Sequence, residues 1–462
     1  MEHMLSRRAL LINGARTLGA AALVSRFGVL SAMAQTTGGN EPYKALVCIF
    51  LNGGNDAFNM IVPIEDAPYT DYLHARRDLA LPRAGVGALL PIFSQNGTGD
   101  RYGLHPELNN LHPLYEAGKM AVLCNVGTLT YPISSPSEYR SRPGLRPREL
   151  FAHDYQIDTW QHLGMEEGWG NGIARILEQR AINPSPTIPF LVNVAGGASI
   201  YVAGSAPYIT LPFGSQLGRL TLKGFTSSTQ DQARLNALRE IYRIPHPDPV
   251  VRAVSTRTDK AISDGQTASE ILSTTTLNTV FPETGIGRQL KQAALMIKSR
   301  DVLGANKRQM FFASIGGFDT HDIQLSTHSR LMRQLGDALA AFYAATVEIG
   351  VENSVTAFTL SEFGRTVQNS TGGTDHAWGS NAVIVGGGVR GGQFYGTYPS
   401  LVLGGPDDIE TGGNARGRIL PKIAVDQYAG TLAKWFGLSS TEIAAVLPYL
   451  SRFSPDDLGF MA

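Results

Sequence analysis

An almost unbroken apolar segment, KALVCIFL at residues 44–51, constrains the fold of this chain more than any other feature of its sequence. It stops abruptly at NGGND, residues 52–56. A segment of this kind is typical of a β-strand buried on both faces, as the strands of parallel sheets are. A helical pattern at 104–118 and a second apolar segment at 120–126 follow. Strand, helix and strand in this order predict a βαβ unit and an α/β fold.

The same alternation continues in the second half of the chain. Helical patterns occur at 286–299, 326–349 and 426–436, and strand-like segments occur at 309–315, 354–360 and 382–385. The region between the two halves, about 130–285, is rich in Pro, Ser, Thr and Gly. We interpret it as an insertion or cap over the sheet, with short strands at 190–194 and 199–202 and one helix near 229–242.

The composition suits a large ordered domain. Of the 462 residues 43% are hydrophobic, which is enough for an extensive core. Lys plus Arg and Asp plus Glu each number 39, so the formal net charge is zero. A neutral chain has no electrostatic footprint for nucleic acid, and we expect no such partner. The two cysteines, Cys48 and Cys124, lie in apolar segments. Buried thiols are the favoured interpretation, and a disulfide is the alternative.

The first 34 residues have the pattern of an export signal. Arg7 and Arg8 precede a moderately apolar stretch that ends in Ala32-Met33-Ala34, a small-x-small cleavage pattern. Paired arginines with these features predict a twin-arginine signal peptide, and a basic amphipathic helix of the fold is the alternative. We therefore expect the twin-arginine export machinery as a partner and a periplasmic or secreted location. No later stretch approaches the ~18 apolar residues that span a bilayer, so we expect no stable membrane insertion.

Acidic residues follow three of the predicted strands. Asp56, Asp319 and Glu362 stand at these ends, where ligands bind in parallel α/β sheets. His321 lies two residues after Asp319, and His376 follows Asp375 in the segment GGTDH. Carboxylates and neutral imidazoles together are the ligands that zinc, manganese and similar divalent ions take. The sequence therefore predicts a metal site at this rim.

Each of these residues also has a structural alternative. Asp56 could close a tight turn, and Asp319 could cap the following helix. Glu362 could pair with Arg365, while Asp375 and His376 could form a surface loop. Arg365 itself could bind an anionic oxygen with its planar fork, or it could neutralise the acidic rim. The joint placement of these residues at strand ends favours a functional role over the structural alternatives.

Five segments carry a family resemblance. They are LVCIFLNGGNDAFNMIVP at 46–63, LFAHDYQIDTWQ at 150–161, GGFDTHDIQ at 316–324, SEFGRTVQNSTGGTDHAWG at 361–379 and VGGGVRGGQFYGTYP at 385–399. With the leader, they resemble exported proteins of the domain of unknown function 1501 family, which is related to the alkaline-phosphatase and sulfatase superfamily. The resemblance implies a three-layer α/β sandwich, with a mostly parallel sheet between helices and an inserted cap.

The resemblance also implies roles for the rim. Asp56 resembles the first-strand metal aspartate, Asp319 with His321 resembles one metal site, and His376 resembles a late histidine ligand. Phe363 stands where the superfamily has a ligand histidine. Ala152 stands where relatives tend to have a serine, the residue type that would act as the nucleophile. Thr128, Thr130 and Ser134 are the substitutes that the sequence offers.

Two functions follow as expectations. The first is a metal-dependent hydrolase of phosphate or sulfate esters, acting on a small anionic substrate. Asp319, His321 and His376, beside Asp375, would hold one ion, and Asp56 with Glu362 would hold a second; zinc is expected first, with manganese, iron or calcium as alternatives. His153 would act as acid or base, and Arg365 would steady the anionic group. The second is a non-catalytic exported binding or assembly module that keeps the fold.

Overall fold

A computed structural model describes residues 41–97, 99–211 and 228–462. The predicted signal peptide at 1–34 lies outside these residues. Within them, no helix combines the length and the apolar character that a bilayer crossing requires.

The described residues form twelve β-strands and twelve α-helices. The strands are β1 (Lys44–Asn52), β2 (Ile61–Pro63), β3 (Leu90–Phe93), β4 (Arg101–Leu104), β5 (Met120–Gly127), β6 (Leu191–Asn193), β7 (Tyr208–Thr210), β8 (Arg308–Gly316), β9 (Val355–Leu360), β10 (Ser380–Gly386), β11 (Phe394–Tyr395) and β12 (Ile423–Ala424). The helices are α1 (Ala57–Met60), α2 (Asp66–Arg76), α3 (His112–Glu116), α4 (Pro136–Ser141), α5 (His153–His162), α6 (Trp169–Gln179), α7 (Thr229–Arg243), α8 (Pro249–Thr274), α9 (Gly285–Lys298), α10 (Gln324–Ile349), α11 (Val425–Phe436) and α12 (Ser440–Val446).

A nine-stranded sheet forms the centre of the fold. Its order is β11-β5-β10-β9-β1-β8-β6-β7, and β12 pairs with β5. Only the pairs that involve β10 are antiparallel within this sheet. Helices flank the sheet, and a separate three-stranded sheet has the order β2-β4-β3. The predicted three-layer α/β class with a mostly parallel central sheet is therefore confirmed.

The apolar segment at 44–51 forms the middle of this sheet. β1 lies between β8 and β9 and is parallel to both. Its residues Ala45 to Leu51 are all buried, which explains why the segment is apolar on both faces. Fully burying each Val, Leu, Ile or Phe side chain stabilises a fold by roughly 1.5–3 kcal/mol. This burial fixes β1, and with it the position of the NGGND turn at its carboxyl end.

Most of the predicted elements in the second half are confirmed. The predicted helices at 286–299, 326–349 and 426–436 correspond to α9, α10 and α11, and the strands at 309–315, 354–360 and 382–385 correspond to β8, β9 and β10. The helix predicted at 104–118 is wrong, because this stretch contains the end of β4, a 3-10 turn at Pro106–Leu108 and the five-residue α3. Proline at 106 and at 113 limits each of these turns to a short piece.

The region at about 130–285, which was predicted to be an insertion or cap, also contributes strands to the central sheet. β6 pairs with β8 and β7 pairs with β6, so this region supplies one edge of the central sheet. The strand predicted at 199–202 is instead a 3-10 helix, Ile200–Val202. The single helix predicted near 229–242 is α7, but α5, α6 and the 26-residue α8 were not predicted.

Both cysteines are free and buried in the sheet. Cys48 lies on β1, and Cys124 lies on β5. The interpretation as buried thiols is confirmed, and burial raises the pKa of both thiols.

Candidate metal centre

The carboxyl ends of three neighbouring parallel strands meet at one rim of the sheet. β1 aligns with β8 up to the pair Asn52 and Gly316, and β9 runs along its other side. Gly53 allows the loop after β1 to approach the loop after β8 closely, because it has no side chain. It has a φ of +120°, and a β-carbon there would lie 2.4 Å from the Asp319 backbone nitrogen. Glu362 completes the junction, since its Oε1 accepts the Gly53 N–H at 2.8 Å. The strand ends therefore place Asp319 and Glu362 side by side.

Asp319 is the centre of the cluster. Its Oδ1 lies 2.8 Å from Arg365 Nη1, 2.9 Å from His321 Nε2 and 3.1 Å from His376 Nε2. Its Oδ2 lies 3.4 Å from His153 Nε2. One carboxylate thus faces one guanidinium and three imidazoles, which come from four separate parts of the chain.

The Nδ1 atom of each of these imidazoles faces an oxygen that can only accept. His153 Nδ1 lies 2.8 Å from Glu362 Oε1, and His376 Nδ1 lies 2.7 Å from the Phe151 carbonyl oxygen. His321 Nδ1 lies 3.3 Å from Asp375 Oδ1. For His153 and His376 these acceptors assign the proton to Nδ1, which in a neutral ring leaves the lone pair on Nε2. His321 has acceptors on both sides, since its Nε2 lies 2.9 Å from Asp319 Oδ1. Carboxylate or carbonyl partners behind Nδ1 are the usual support of metal-ligating histidines.

The Nε2 atoms of the three rings converge on the Asp319 carboxylate. His321 Nε2 and His376 Nε2 are 3.1 Å apart, and the ring centroids of His153 and His376 are 4.4 Å apart. In the part of the chain that the structure describes, the buried Nε2 of His153 has no hydrogen-bond partner. Lone pairs that face one another and a carboxylate repel unless a proton or a metal ion lies between them. Ligand atoms of His153, Asp319 and His376 all lie within 4.8 Å of one another, a set that fits a zinc-like ion.

The titration of the cluster follows from its surroundings. Partial burial of Asp319 by itself raises the pKa, but the hydrogen bond from Arg365 and the adjacent His376 ring outweigh it and lower the pKa to about 2. For His153, the hydrogen bond to Glu362 raises the pKa against the opposing effect of burial. Burial lowers the pKa of His376. Asp319 is therefore ionised and His376 neutral at neutral pH, which are the states that a metal ion requires.

Residues 214–411 match the model of a family described as "Protein of unknown function (DUF1501)". The predicted family resemblance is confirmed. The match includes the segments that carry Asp319, Glu362, Arg365 and His376, whereas His153 lies before it. No curated protein matches the chain in sequence.

Solved structures similar to this chain share little sequence with it. They include Ps i-CgsB in complex with k-i-k-neocarrahexaose (9% identity, 87% of this chain and 74% of that chain covered, TM-score 0.34). Others are the lipoteichoic acid synthase LtaP from Listeria monocytogenes (7%, 83% and 76%, TM-score 0.31) and the PsFucS1 sulfatase from Pseudoalteromonas sp. (10%, 82% and 68%, TM-score 0.30). Likenesses of this degree say nothing about the activity of this DUF1501-like chain.

The two buried charged residues of the site, Glu362 and Arg365, bind other residues of the cluster. Glu362 is 1% exposed, and its oxygens accept hydrogen bonds from Gly53, His153 and Ser361. Arg365 is fully buried and donates to Asp319 and to Thr374. A guanidinium so placed orients Asp319, which corresponds to the second of the two roles considered for Arg365, neutralisation of the acidic rim.

Asp56 and Asp375 lie outside the group of converging ligand atoms. Asp56 Oδ1 accepts a hydrogen bond from Arg76 at 2.6 Å, and its Oδ2 accepts one from Gln324 at 2.5 Å. Both of its oxygens thus accept hydrogen bonds within the protein. Among the described residues, Asp56 and Glu362 do not belong to the group of ligand atoms that could hold an ion, so the predicted second ion between them is not supported. Asp375 stands behind His321 and pairs with Arg416 at 3.4 Å.

The candidate nucleophiles have structural partners. Thr128 Oγ1 is buried, donates to Gln156 Oε1 and accepts from Trp378 Nε1. Ser134 Oγ donates to the Glu138 carboxylate at 2.7 Å. Ala152, which precedes His153, is the N-cap of α5 and has no side chain to donate or accept. These positions leave a water molecule as the simplest nucleophile.

Sequence reasoning missed the supporting residues Gln324 and Thr374 and the carbonyl of Phe151. Thr374 lies two residues before His376 in the segment GGTDH, and this closeness to a candidate ligand could have indicated its supporting role. Nothing in the sequence connects Gln324 with Asp56, which lies 268 residues earlier.

Proposed function

We propose that this chain is an exported metal-dependent hydrolase of phosphate or sulfate esters, in which His153, Asp319 and His376 hold a divalent ion. The observation that carries the proposal is the buried Nε2 of His153. Among the described residues it has no hydrogen-bond partner, its Nδ1 is held by a buried carboxylate, and it lies 3.4 Å from Asp319 Oδ2. Leaving a buried acceptor unsatisfied costs about 1–3 kcal/mol, which metal binding removes. Two imidazoles and one carboxylate favour zinc, with manganese or iron as alternatives.

His153 and His321 take roles opposite to those predicted from the sequence. His153 becomes a ligand because its free nitrogen is buried. His321 becomes the acid or base because its side chain is 47% exposed and can exchange protons with solvent. Its Nδ1 faces Asp375, so a proton that it transfers leaves from or arrives at Nε2.

Each residue of the cluster then has a defined task. A bound divalent ion supplies a Lewis acid for an ester oxygen and lowers the pKa of a water molecule. Glu362 keeps the proton of His153 on Nδ1, and the Phe151 carbonyl does the same for His376. Arg365 holds the Asp319 carboxylate so that Oδ2 points to His153. His321 Nε2 donates a proton to the departing ester oxygen.

The test is metal content, measured by elemental mass spectrometry on protein purified without chelator. We expect about one ion per chain in the native protein, none in His376→Ala, and an unchanged content in His74→Ala. His74 is a matched control because it is an exposed histidine on α2, outside the cluster. A native protein that takes up no zinc, manganese or iron even when these are supplied would refute the proposal.

A second candidate, a non-catalytic binding module, is favoured by one observation. The N-cap position at 152 carries alanine instead of a hydroxyl residue. Metal-loaded protein should hydrolyse aryl phosphates or aryl sulfates if it is an enzyme, and Asp319→Asn should abolish turnover while the protein stays folded. One ion per chain with no turnover on either ester class would favour the module.

A further inference from the structure

Asp56 and Arg76 form an ion pair that solvent does not reach. Both side chains have 0% exposure, and Arg76 Nη2 lies 2.6 Å from Asp56 Oδ1. Arg76 also donates to the Thr366 carbonyl oxygen at 3.3 Å. Burying two charges is expensive, and a hydrophobic pair of similar volume is often at least as stable. An ion pair in this position therefore needs a reason other than stability.

The second oxygen of Asp56 begins a chain of hydrogen bonds that leads to the metal centre. Gln324 Nε2 donates to Asp56 Oδ2, and Gln324 Oε1 accepts from Thr374 Oγ1 at 2.5 Å. Thr374 Oγ1 accepts in turn from Arg365 Nε at 3.2 Å. Arg365 Nη1 then donates to Asp319 Oδ1 at 2.8 Å. The side chains of Asp56, Gln324, Thr374 and Arg365 are all buried.

This chain can run in one direction only. Arg365 can only donate and the Asp56 carboxylate can only accept, so the hydroxyl of Thr374 must point to Gln324. The amide of Gln324 must then present oxygen to Thr374 and nitrogen to Asp56. Such aligned hydrogen bonds strengthen one another in a buried setting. The network holds the Nε of Arg365, and its other nitrogens donate to the carbonyl oxygens of Gly53 and Thr374 and to the Asp319 carboxylate.

We propose that Asp56 is a positioning residue, which holds Arg365 and thereby Asp319 in the metal-binding geometry through Gln324 and Thr374. The proposal rests on the proposed function, because it assigns the network to the same metal centre. It gives Asp56 a role at a distance in place of direct metal ligation. Residues that support ligands in this way typically change metal affinity 10- to 100-fold when they are lost.

The test compares variants that remove one polar atom each from the network. Thr374→Val keeps the shape and the backbone carbonyl but removes the hydroxyl, and Thr374→Ser restores it. Gln324→Met removes both amide contacts. We expect the Kd for Zn²⁺, measured by competition with a chromophoric chelator, to rise about tenfold or more in Thr374→Val and Gln324→Met. Thr374→Ser should stay within about twofold of the native value.

Matched controls separate positioning from general destabilisation. Thr356 is a buried threonine on β9 whose hydroxyl has no partner, so Thr356→Val should leave the Kd unchanged. Gln289 is a buried glutamine that bonds the backbone of Ser314, so Gln289→Met should lower stability without weakening Zn²⁺ binding. The visible absorption bands of bound Co²⁺ should change in Thr374→Val and Gln324→Met but not in either control.

The outcomes are distinguishable. Native protein that binds Zn²⁺, together with network variants that bind it as tightly and give an unaltered Co²⁺ spectrum, would overturn the positioning role alone. Equal weakening by Thr374→Val and Thr374→Ser would also overturn it, because the restored hydroxyl should rescue. If the native protein binds no metal, the proposed function is refuted, and the positioning role of Asp56 is refuted together with it.

Discussion

Replacing Asp56 by asparagine tests whether this residue is a partner of Arg76 or a metal ligand. The substitution preserves size but removes the charge that neutralises a completely buried guanidinium. Breaking a buried ion pair on one side typically costs about 3–5 kcal/mol, because the remaining charge is left uncompensated. The asparagine amide nitrogen would in addition face a donor of Arg76 or Gln324. We therefore expect Asp56→Asn to lower the free energy of unfolding by this amount.

Urea unfolding followed by circular dichroism measures the loss. With a slope of about 3 kcal/mol per molar urea, the midpoint should fall by about 1–1.7 M. Zinc should still bind to Asp56→Asn at about one ion per chain when it is supplied in excess, although with weaker affinity. The reasoning would be refuted by a variant of native stability that cannot be loaded, since that result would make Asp56 a ligand.

Two further variants act as controls for Asp56→Asn. Asp66 pairs with Arg83 at 2.7 Å but its side chain is 97% exposed, so Asp66→Asn should produce no measurable change. Adding Arg76→Met to Asp56→Asn removes the unpaired charge as well. The double variant should recover part of the lost stability, because replacing both partners of a buried pair is far less costly than removing one.

Three other predictions concern single positions. Ala152→Ser should stabilise the protein by about 1 kcal/mol in urea unfolding, because serine at the N-cap accepts a backbone N–H of α5; an unchanged midpoint would contradict this. Burial raises the pKa of Asp426 from 3.8 to about 7, and neither of its oxygens accepts a hydrogen bond from another of the described residues. A carboxyl group whose pKa is higher in the folded state lowers the stability of the protein as the pH rises from about 4 to 7. Asp426→Asn should therefore be more stable than the native protein by up to about 4 kcal/mol at pH 8 and by little at pH 4. Equal differences at both pH values would refute it. The hydrogen bond to Glu362 raises the pKa of His153, so Glu362→Gln should lower that pKa. Because Zn²⁺ binds the deprotonated nitrogen, the pH midpoint of Zn²⁺ binding should then move to a lower pH. A shift to a higher pH would contradict the assignment of the Nδ1 proton.

The sequence was a good guide to the sheet because burial dictates its pattern directly. β1, β5, β8 and β9 are mostly apolar because both of their faces are covered, and each was predicted within one or two residues. β6 and β7 have only three residues each, and nothing in so short a pattern shows that they join the sheet edge. Their place depends on pairing with β8, a contact between residues far apart in the chain.

The candidate site was predictable in its members but not in their partners. Acidic residues at strand ends correctly indicated one rim, and the structure brings Asp319, His321, Glu362 and His376 together there. The partner of Asp56 could not be predicted, because Arg76 is one of many arginines and only the path of α2 brings it there. The pairing of His153 with Glu362 likewise spans 209 residues.

The geometry of the cluster narrows the form that a hydrolase mechanism can take. A covalent route needs a hydroxyl near the ion, yet position 152 is alanine and the Thr128 hydroxyl is engaged by Gln156 and Trp378. A route that uses water needs only ligands, a proton donor and fixed charges, and these are the groups that converge on Asp319. Restoring a serine at 152 would therefore add stability through the N-cap without being required for turnover. Ester hydrolysis by the native protein that leaves no phosphorylated or sulfated residue on the chain is the result that this argument requires, and a trapped covalent adduct would refute it.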